Sequence, residues 1–354
     1  MLYIILAILI FGVLIGLHEF GHFAVAKACG VRVNEFSIGM GPLLLQRTKG
    51  ETDYSLRLLP IGGYCAMEGE DEDSSDERAL NRQPLWKQFL IFVAGAAMNF
   101  LTGLLILLCL YAGASAFYTN EIVALNDGFP SEGADGIMVG DEIYAINGER
   151  IYLRSDIPTV LQYKSRGETM EMVVLRGGEK LTRTLHMTDY TNDDGTTYRA
   201  YGFSYGGIVE ATPLLKLKYT WYNAIDYVRL VRLSLQMLIT GAAGVKDLSG
   251  PVGIVSTISE MGQETEAEAG FAAALENVLF FGALIAVNLA VMNLLPLPAL
   301  DGGKVLILLL NAVAMLLVKR KIPQKFETAV NAAGFVLLMG LMLFVTFNDV
   351  VKLF

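Results

Sequence analysis

The stretch HEFGH at residues 18–22 puts two imidazoles and a carboxylate inside an apolar run. On a helix, His18 and His22 are one turn apart on one face, where they can bind a single metal ion. Glu19 projects about 100° around the helix from His18, close enough to take a proton from a water on that metal. Two core histidines beside an incidental glutamate are the simpler alternative. That alternative leaves three costly polar groups at membrane depth, so the pattern favours a metal centre.

A catalytic zinc site uses three protein ligands and leaves a fourth position for water. A third ligand must therefore come from elsewhere in the chain. His186 is a poor candidate because it lies in a predicted external domain, whereas Asp301 follows the third apolar segment in NLLPLPALDGGK. An acidic residue there has no structural reason to lie near lipid, and Gly302 and Gly303 allow the backbone to approach closely. We therefore predict Asp301 as the third ligand.

Long apolar segments must position these residues. The chain has 354 residues, of which 53% are hydrophobic and 18% charged, whereas soluble domains carry about 25% charge. Four apolar segments have lengths near the roughly 20 residues that cross a bilayer. They are residues 2–25, 88–111, 271–296 and 329–348. The sequence therefore predicts a multi-pass α-helical membrane protein with four transmembrane helices.

Two further apolar segments are not predicted to cross the membrane. Residues 305–318 are too short for a span and are typical of a re-entrant or interfacial helix. Residues 220–241 carry Asp226, Arg229 and Arg232 on one side of an otherwise apolar helix. This pattern favours an amphipathic helix at the membrane surface.

The orientation follows from the distribution of Lys and Arg. These residues cluster in the loop between the first two spans and again at residues 319–325, whereas residues 112–149 and 247–276 contain none. Positive loops stay in the cytoplasm, so residues 112–270 are predicted to face outside. The histidines then lie inside the membrane, nearer the cytoplasmic side. The expected location is a cell membrane.

The composition argues against several other classes of protein. A net charge of −9 provides no basic stripe for phosphates, so nucleic acid is not an expected partner. Cys29, Cys65 and Cys109 share no metal-type spacing and do not suggest a disulfide framework. The first apolar segment lacks a positive n-region and a clean cleavage site, which favours a retained span over a signal peptide. The acidic run at residues 68–78 lacks the pattern of a calcium loop and is interpreted as a solvated loop.

The paired motifs HEFGH in the first span and LDGG at residues 300–303 resemble those of the site-2 proteases, which are intramembrane zinc metalloproteases. The four-span plan with a single external domain is similar to the bacterial RseP-like branch of that family. Four further segments look like family segments and occur in the family's order. They are FSIGMGP (36–42), PIGGYCAMEGE (60–70), SGPVGI (249–254) and VNLAVMNLLPLPALDGG (287–303).

The resemblance implies His18, His22 and Asp301 as zinc ligands and Glu19 as the catalytic base. It also implies a second group of residues that shape the substrate-binding side of the third span. That group is Asn288, Asn293, Pro296 and Pro298. The prolines also read as helix terminators, since proline lacks a backbone donor. A broken helix is tolerated where it lines a polar cavity in the membrane, so both interpretations can hold.

Two β-rich segments complete the predicted plan. Residues 127–151 resemble a PDZ domain, and G-D-x-I-x-x-I-N-G within them predicts a turn, a short alternating strand and an Asn-Gly hairpin. The family resemblance implies a size filter over the active site, whereas a structural β domain without a ligand is the alternative. Residues 52–64 alternate polar and apolar side chains before an expected Gly-Gly turn, and are similar to the family's membrane-dipping β-hairpin. An open strand edge there could pair with an unwound substrate helix.

The predicted domain organisation has four parts. Residues 1–111 hold two spans and the hairpin, residues 112–207 the extracytoplasmic PDZ domain, residues 208–270 the amphipathic helix and a linker, and residues 271–354 the last two spans. The expected partners are single-pass membrane proteins, such as anti-sigma factors or remnant signal peptides, and membrane lipid. The oligomeric state stays open.

The predicted activity is zinc-assisted hydrolysis of a peptide bond within a transmembrane segment. A membrane zinc transporter is one alternative, since intramembrane His and Asp line ion paths. The sequence shows neither the further polar residues along the spans nor the internal repeats that a transporter would favour. A non-catalytic scaffold is another alternative, and the presence of Glu19 argues against it.

Overall fold

The chain forms two compact units in the computed structural model. The helical unit comprises Met1–Leu107 and Ser234–Phe354, and the β-rich unit comprises Leu108–Leu233. The structure describes residues 1–70, 72, 74–130, 133, 136–164, 167–192, 194–244, 248–320 and 323–352. Parts of three sequence features lie outside the described residues. They are residues 71 and 73 of the acidic run, residues 131, 132, 134 and 135 of the predicted PDZ stretch, and residue 321 of the basic cluster.

Eight α-helices are present in the described ranges. They are α1 (Leu2–Ala28), α2 (Leu85–Ala112), α3 (Asp156–Lys164), α4 (Pro213–Ile239), α5 (Pro251–Ala269), α6 (Phe271–Asn293), α7 (Asp301–Leu317) and α8 (Gln324–Lys352). Four of them, α1, α2, α6 and α8, are long and apolar enough to cross a membrane. The prediction of four spans is therefore confirmed at the level of length and composition, and the chain is an integral membrane protein.

The helical unit packs α1 against α5 and α6. Tyr3, Ala7 and Leu14 of α1 share an apolar core with Ile258 of α5 and with the buried face of α6. Most of the remaining surface of these helices is apolar and exposed, as expected for side chains that face lipid. The core of the unit is therefore narrow and lies where the helices meet.

Strands β1 (Val33–Lys49) and β2 (Thr52–Met67) form a hairpin whose strands both bend, so that residues 35–38 of β1 pair with residues 53–56 as well as with residues 63–66 of β2. Its base is buried against α1 and α2 through Val33, Phe36 and Met67. The chain reverses at residues 50–51 and again between Leu59 and Gly63, since residues 53–56 run parallel to residues 35–38 whereas residues 63–66 run antiparallel to them. The expected turn at the Gly-Gly pair therefore falls where β2 reverses. A Cβ on Gly63 would lie 2.8 Å from the Ser37 carbonyl oxygen, so this glycine also permits close strand packing.

The middle of the hairpin exposes a series of large apolar side chains. They are Ile38, Met40, Leu43, Leu44, Leu45, Leu56, Leu58 and Leu59. An apolar patch of this kind in water would favour aggregation, whereas in a lipid environment it is a favourable surface. The hairpin therefore has the composition of a membrane-embedded element.

The β-rich unit contains ten short strands. They are β3 (Ala116–Tyr118), β4 (Ile122–Leu125), β5 (Glu142–Ile146), β6 (Glu149–Arg150), β7 (Thr169–Arg176), β8 (Glu179–His186), β9 (Thr188–Thr191), β10 (Thr197–Ala200), β11 (Phe203–Tyr205) and β12 (Ile208–Glu210). A four-stranded sheet in the order β6-β5-β7-β8 is accompanied by the pairs β4–β11, β3–β12 and β9–β10. Apolar residues of the sheet and α3 form one core that includes Ile143, Ile157 and Met172.

The Asn-Gly hairpin predicted in this unit is confirmed. Asn147 and Gly148 both have positive φ angles, of 47° and 80°, and join β5 to β6. This is the backbone that a two-residue type I′ turn requires.

The charged residues of α4 face the β-rich unit. Arg229 pairs with Asp226 on its own helix and with Asp156 of α3, and all three side chains are buried. Arg232 pairs with Glu149 at 2.7 Å. Burial raises the pKa of Asp226 to about 6, reinforced by Asp156 and opposed by Arg229. The one-sided charge pattern therefore reflects contacts with a protein domain as well as any contact with a membrane surface.

Candidate metal centre

His18 and His22 of α1 meet Asp301, the first residue of α7. The two imidazole Nε2 atoms are 3.3 Å apart and lie 3.1 Å and 3.2 Å from the Asp301 Oδ2 atom. The histidines are 9% and 6% exposed. Within the described part of the chain, this is the one cluster of three side chains that suits a metal ion.

The spacing of these three atoms fits a tetrahedral zinc ion. Ligands at about 2.0–2.1 Å from such an ion are separated from one another by roughly 3.3 Å. The space beside the ligands is kept open by Gly95 of α2. A Cβ on Gly95 would lie 2.3 Å from His22 Nε2 and 2.8 Å from His18 Nε2. The donor set and its surroundings therefore match the needs of the metal.

Helix α2 also contacts the outer nitrogens of both imidazoles. The His22 Nδ1 atom donates to the Ile91 carbonyl oxygen at 2.7 Å, which leaves the Nε2 lone pair facing the cluster. The His18 Nδ1 atom lies 3.4 Å from the Asn99 amide and 3.5 Å from the Asn293 amide. Outer partners of this kind fix the orientation and tautomer of metal-binding histidines.

The start of α7 is held by close backbone packing and by one ion pair. A Cβ on Gly302 would lie 2.3 Å from the Leu294 and Leu295 carbonyl oxygens, so the helix can begin here because residue 302 lacks a side chain. Lys304, one turn beyond Asp301, pairs with Glu70 at the end of the hairpin at 2.5 Å. The hairpin base and the Asp301 helix are therefore connected beside the metal site.

Glu19 lies between the metal cluster and strand β2. A Cβ on Gly63 would be 3.4 Å from the Glu19 Cγ atom, so the strand passes directly beside this carboxylate. Nearby in β2, burial raises the pKa of the Cys65 thiol to about 12. Because metals bind the thiolate, a thiol kept protonated is a poor competitor for the ion.

The residues predicted on the substrate side lie in different surroundings. Asn293 is the last residue of α6 and lies beside His18. Pro298 packs against α8, where a Cβ on Gly334 would be 2.3 Å from the proline Cβ. Asn288 and Pro296 are exposed. Asn293 is therefore the member of this group that contacts the metal cluster, and the substrate role of all four stays a prediction.

Gly95 and Asn99 were not identified by the sequence analysis. Both lie in AGAAMN, a run of small residues with one amide inside the second span. An uncharged polar residue in an apolar span needs a partner there, and small residues mark close helix contacts. That combination is the signal from which the α2 contribution could have been predicted.

A cavity of about 930 Å³ lies next to the centre in the helical unit. Its polar lining includes Glu70, Gln88, Lys304, Asn311 and Glu327. Lys304 is three residues from Asp301, so the cavity extends to within one helical turn of the predicted ligand.

A His-His-Asp cluster with an adjacent glutamate, whose histidines lie on an apolar helix of spanning length, is typical of a membrane-embedded metallohydrolase. Comparison with known proteins gives the family. The model of peptidase family M50 matches residues 6–341. The chain belongs to this family, the site-2 proteases, whose members use zinc, and it is a metalloprotease.

Several bacterial relatives are similar over nearly their whole length. A Clostridium perfringens protein, provisionally named as a zinc metalloprotease, is 38% identical over 99% of both chains. The zinc metalloprotease RasP of Shouchella clausii is 29% identical over 98% of both chains. The regulator of sigma-W protease RasP of Bacillus subtilis is 27% identical over 99% of both. The RasP alignments extend over 429 and 434 positions, against 351 for the Clostridium protein, so the RasP proteins contain segments that this chain lacks.

Proposed function

We propose that this chain cleaves peptide bonds within the transmembrane segments of single-pass membrane proteins. The zinc ion would be held by His18, His22 and Asp301, with Glu19 as the general base. The observation that carries the proposal is the meeting of these three ligand atoms at 3.1–3.3 Å, with both histidines and Glu19 on a helix of spanning length.

The chemistry divides between the metal and the chain. When bound, zinc makes a water acidic enough to act near neutral pH and polarises a carbonyl group. Glu19 would accept a proton from the attacking water and deliver it to the leaving amine. His18 and His22 keep their Nε2 atoms directed at the ion through the contacts of their Nδ1 atoms. Asp301 supplies the negative charge of the ligand set.

Strand β2 is the proposed guide for an extended substrate. A helical peptide bond is hidden in its own hydrogen bonds, so the substrate segment must unwind before it is cut. Because Gly63 of β2 lies against Glu19, a peptide that follows the hairpin would pass close to the base. Main-chain pairing to a strand edge gives affinity with little dependence on sequence. The exposed apolar middle of the hairpin supports its insertion into the membrane.

The proposed location is the bacterial inner membrane, with the active site nearer the cytoplasmic side. The clustering of Lys and Arg between the first two spans supports this orientation. The polar cavity that includes Lys304 and Glu70 is the proposed route for water.

The β-rich unit is proposed to be the extracytoplasmic PDZ domain, within the four-part organisation at residues 1–111, 112–207, 208–270 and 271–354. Its compact sheet with one short helix and the Asn147-Gly148 hairpin supports this assignment. It would filter substrates by size. Membrane-bound anti-sigma factors are proposed as one substrate class, supported by the sigma-W name of the Bacillus relative.

The activity is tested by cleavage of a co-expressed single-pass reporter. Wild type is expected to cut the reporter within its transmembrane segment. Glu19→Gln is expected to lose cleavage by at least about a hundredfold, since general base catalysis typically contributes 10²–10⁴-fold. Glu19→Gln should nevertheless retain its zinc.

The matched control is Glu264→Gln, which changes an exposed glutamate of α5 in the same unit. It is expected to cleave as wild type does. A fully active Glu19→Gln protein would contradict the mechanism. Absence of cleavage by wild type that holds zinc, together with zinc uptake into vesicles, would favour the transporter alternative.

A further inference from the structure

Three α2 residues spaced four apart face the two imidazoles of α1. Ile91, Gly95 and Asn99 lie on one side of the helix, because a spacing of four residues returns nearly to the same face. Ile91 contacts His22, and Asn99 contacts His18. The two helices are antiparallel at this point, so the earlier histidine contacts the later α2 residue and each imidazole has its own partner.

The hydrogen bond between His22 Nδ1 and the Ile91 carbonyl oxygen can have only one direction. A backbone carbonyl can accept but cannot donate, so the His22 Nδ1 atom carries the hydrogen. In the neutral imidazole, the Nε2 atom is then unprotonated and available to a metal ion. The Ile91 carbonyl oxygen fixes this tautomer at a distance of 2.7 Å.

The same requirement applies to His18, whose Nε2 atom is 3.1 Å from Asp301. If this Nε2 atom binds a metal, the hydrogen must be on Nδ1 and needs an acceptor. No backbone carbonyl is paired with His18 Nδ1 among the described contacts. Its two neighbours are the side-chain amides of Asn99 and Asn293.

Asn99 is the better of the two acceptors. It is 1% exposed, and its Oδ1 atom has no hydrogen-bond partner among the described residues. A rotation of 180° exchanges the oxygen and nitrogen of a carboxamide, which have nearly the same shape. The Asn99 oxygen is thus available to His18 without breaking another bond. Asn293 is only partly buried and lies slightly farther away.

We infer that Asn99 is a positioning residue of the metal centre, whose side-chain oxygen accepts the Nδ1 hydrogen of His18 and directs the Nε2 atom at the zinc ion. This inference rests on the zinc centre of the proposed function. A neutral amide performs this task without adding charge beside the carboxylates of Asp301 and Glu19. Asn293 is left to serve the substrate side.

The test is the zinc affinity of the purified full-length chain in detergent, measured by competition with a chelator. Loss of an outer partner typically weakens metal binding by about 10–100-fold, and Asn99→Ala is expected to fall in that range. Asn99→Leu, which keeps the side-chain volume but has no acceptor, should show the same loss. Asn99→Asp retains an acceptor and should bind zinc at least as tightly as wild type.

Two controls separate this role from a general effect on α2. Thr102→Ala alters the next turn of the helix, where the Thr102 hydroxyl donates to the Met98 carbonyl oxygen, and should leave affinity unchanged. Asn293→Ala should also retain affinity while losing cleavage. The absorption spectrum of the cobalt-substituted chain gives a second readout, and it should change in Asn99→Ala but not in Asn293→Ala.

The inference is overturned if Asn99→Ala and Asn99→Leu bind zinc as wild type does, or if Asn99→Asp loses as much affinity as Asn99→Ala. It is also overturned if the loss appears in Asn293→Ala in place of Asn99→Ala. Failure of the proposed centre itself has a different signature. In that case His18→Ala would bind zinc as tightly as wild type.

Discussion

Two buried polar clusters, one in each unit, are built from similar parts. In the β-rich unit, Asp156 and Asp226 share the guanidinium of Arg229, so the chain supplies its own cation. In the helical unit, Asp301 meets two imidazole nitrogens at 3.1 Å and 3.2 Å, and the set has the form of three ligands around a shared ion. The first cluster is balanced by a cation of the chain itself, whereas the second has the spacing of a candidate metal site.

The difference shows how a structural cluster and a functional one can be separated. Buried charges persist only when they are paired or bind metals. A third solution occurs at Asp349 of α8, whose Oδ2 atom accepts the backbone N–H groups of Gly250 and Gly253 at 2.8 Å each. Here the N–H groups at the start of α5, which have no acceptor within the helix, pair with the carboxylate. Each solution predicts a different response to mutation.

The largest effect is expected at Gly95. Because a Cβ there would lie 2.3 Å from His22 Nε2, Gly95→Ala should displace an imidazole and weaken zinc binding by more than about a hundredfold, beyond the loss typical of an outer partner. Chelator competition measures this effect. Gly16→Ala is the control, because a Cβ on Gly16 in α1 meets nothing within 4 Å. If Gly95→Ala binds zinc with wild-type affinity, space for the imidazoles is not the reason for glycine at this position.

The next effect is expected at Arg229. Arg229→Met leaves two buried carboxylates without their cation and should destabilise the β-rich unit by about 3–5 kcal/mol. Zinc affinity should not change. Thermal unfolding of the full chain, followed by protease sensitivity of this unit, measures the loss.

Arg232→Met is the matched control, since the Arg232 side chain is 52% exposed in its pair with Glu149. A surface pair contributes less than about 1 kcal/mol. Equal losses in the two variants would contradict the assignment of Arg229 as the structural cation.

A smaller, pH-dependent effect is expected at Asp226. Burial raises its pKa to about 6 in the folded chain, from the ordinary value of 3.8. The folded state therefore holds a proton that the unfolded state releases, so stability falls as pH rises from about 4 to 6, by up to about 1.4 kcal/mol per unit. Asp226→Asn should remove this fall. An unchanged pH profile of unfolding in Asp226→Asn would contradict the assignment.

The smallest effect is expected at Asp349. Asp349→Ala leaves the N–H groups of Gly250 and Gly253 without their acceptor and should cost about 1–2 kcal/mol, as loss of a helix cap does. Asp349→Asn keeps one acceptor oxygen and should cost less. Hydrogen exchange at the start of α5 measures the change. Equal protection in wild type and Asp349→Ala would show that the cap is dispensable.

Much of the candidate metal centre could be predicted because its polar residues lie within or directly after apolar segments. His18, Glu19 and His22 interrupt an apolar run, and Asp301 follows another, so each can be found from the sequence without knowledge of the fold. The four spans were predictable for the same reason, since length and hydropathy suffice. The Asn147-Gly148 turn is a local pattern that needs no tertiary contact.

Other features depend on contacts between distant segments. Gly95 and Asn99 are ordinary residues of an apolar span until α1 lies against them. The turn at Gly62–Gly63 is a local signal, whereas the close packing of Gly63 on β1 and beside Glu19 depends on the fold. The charged side of α4 has the pattern of a solvent-facing or membrane-facing surface, and the ion pair between Arg229 and Asp156 is apparent only in the fold.

The most direct test of the account is the zinc K-edge X-ray absorption spectrum of the purified chain. The proposed centre should show two imidazole ligands and oxygen neighbours at about 2.0–2.1 Å, with one imidazole lost in His18→Ala. A sulfur neighbour at about 2.3 Å, which would implicate the buried Cys65, or an unchanged spectrum in His18→Ala, would contradict it.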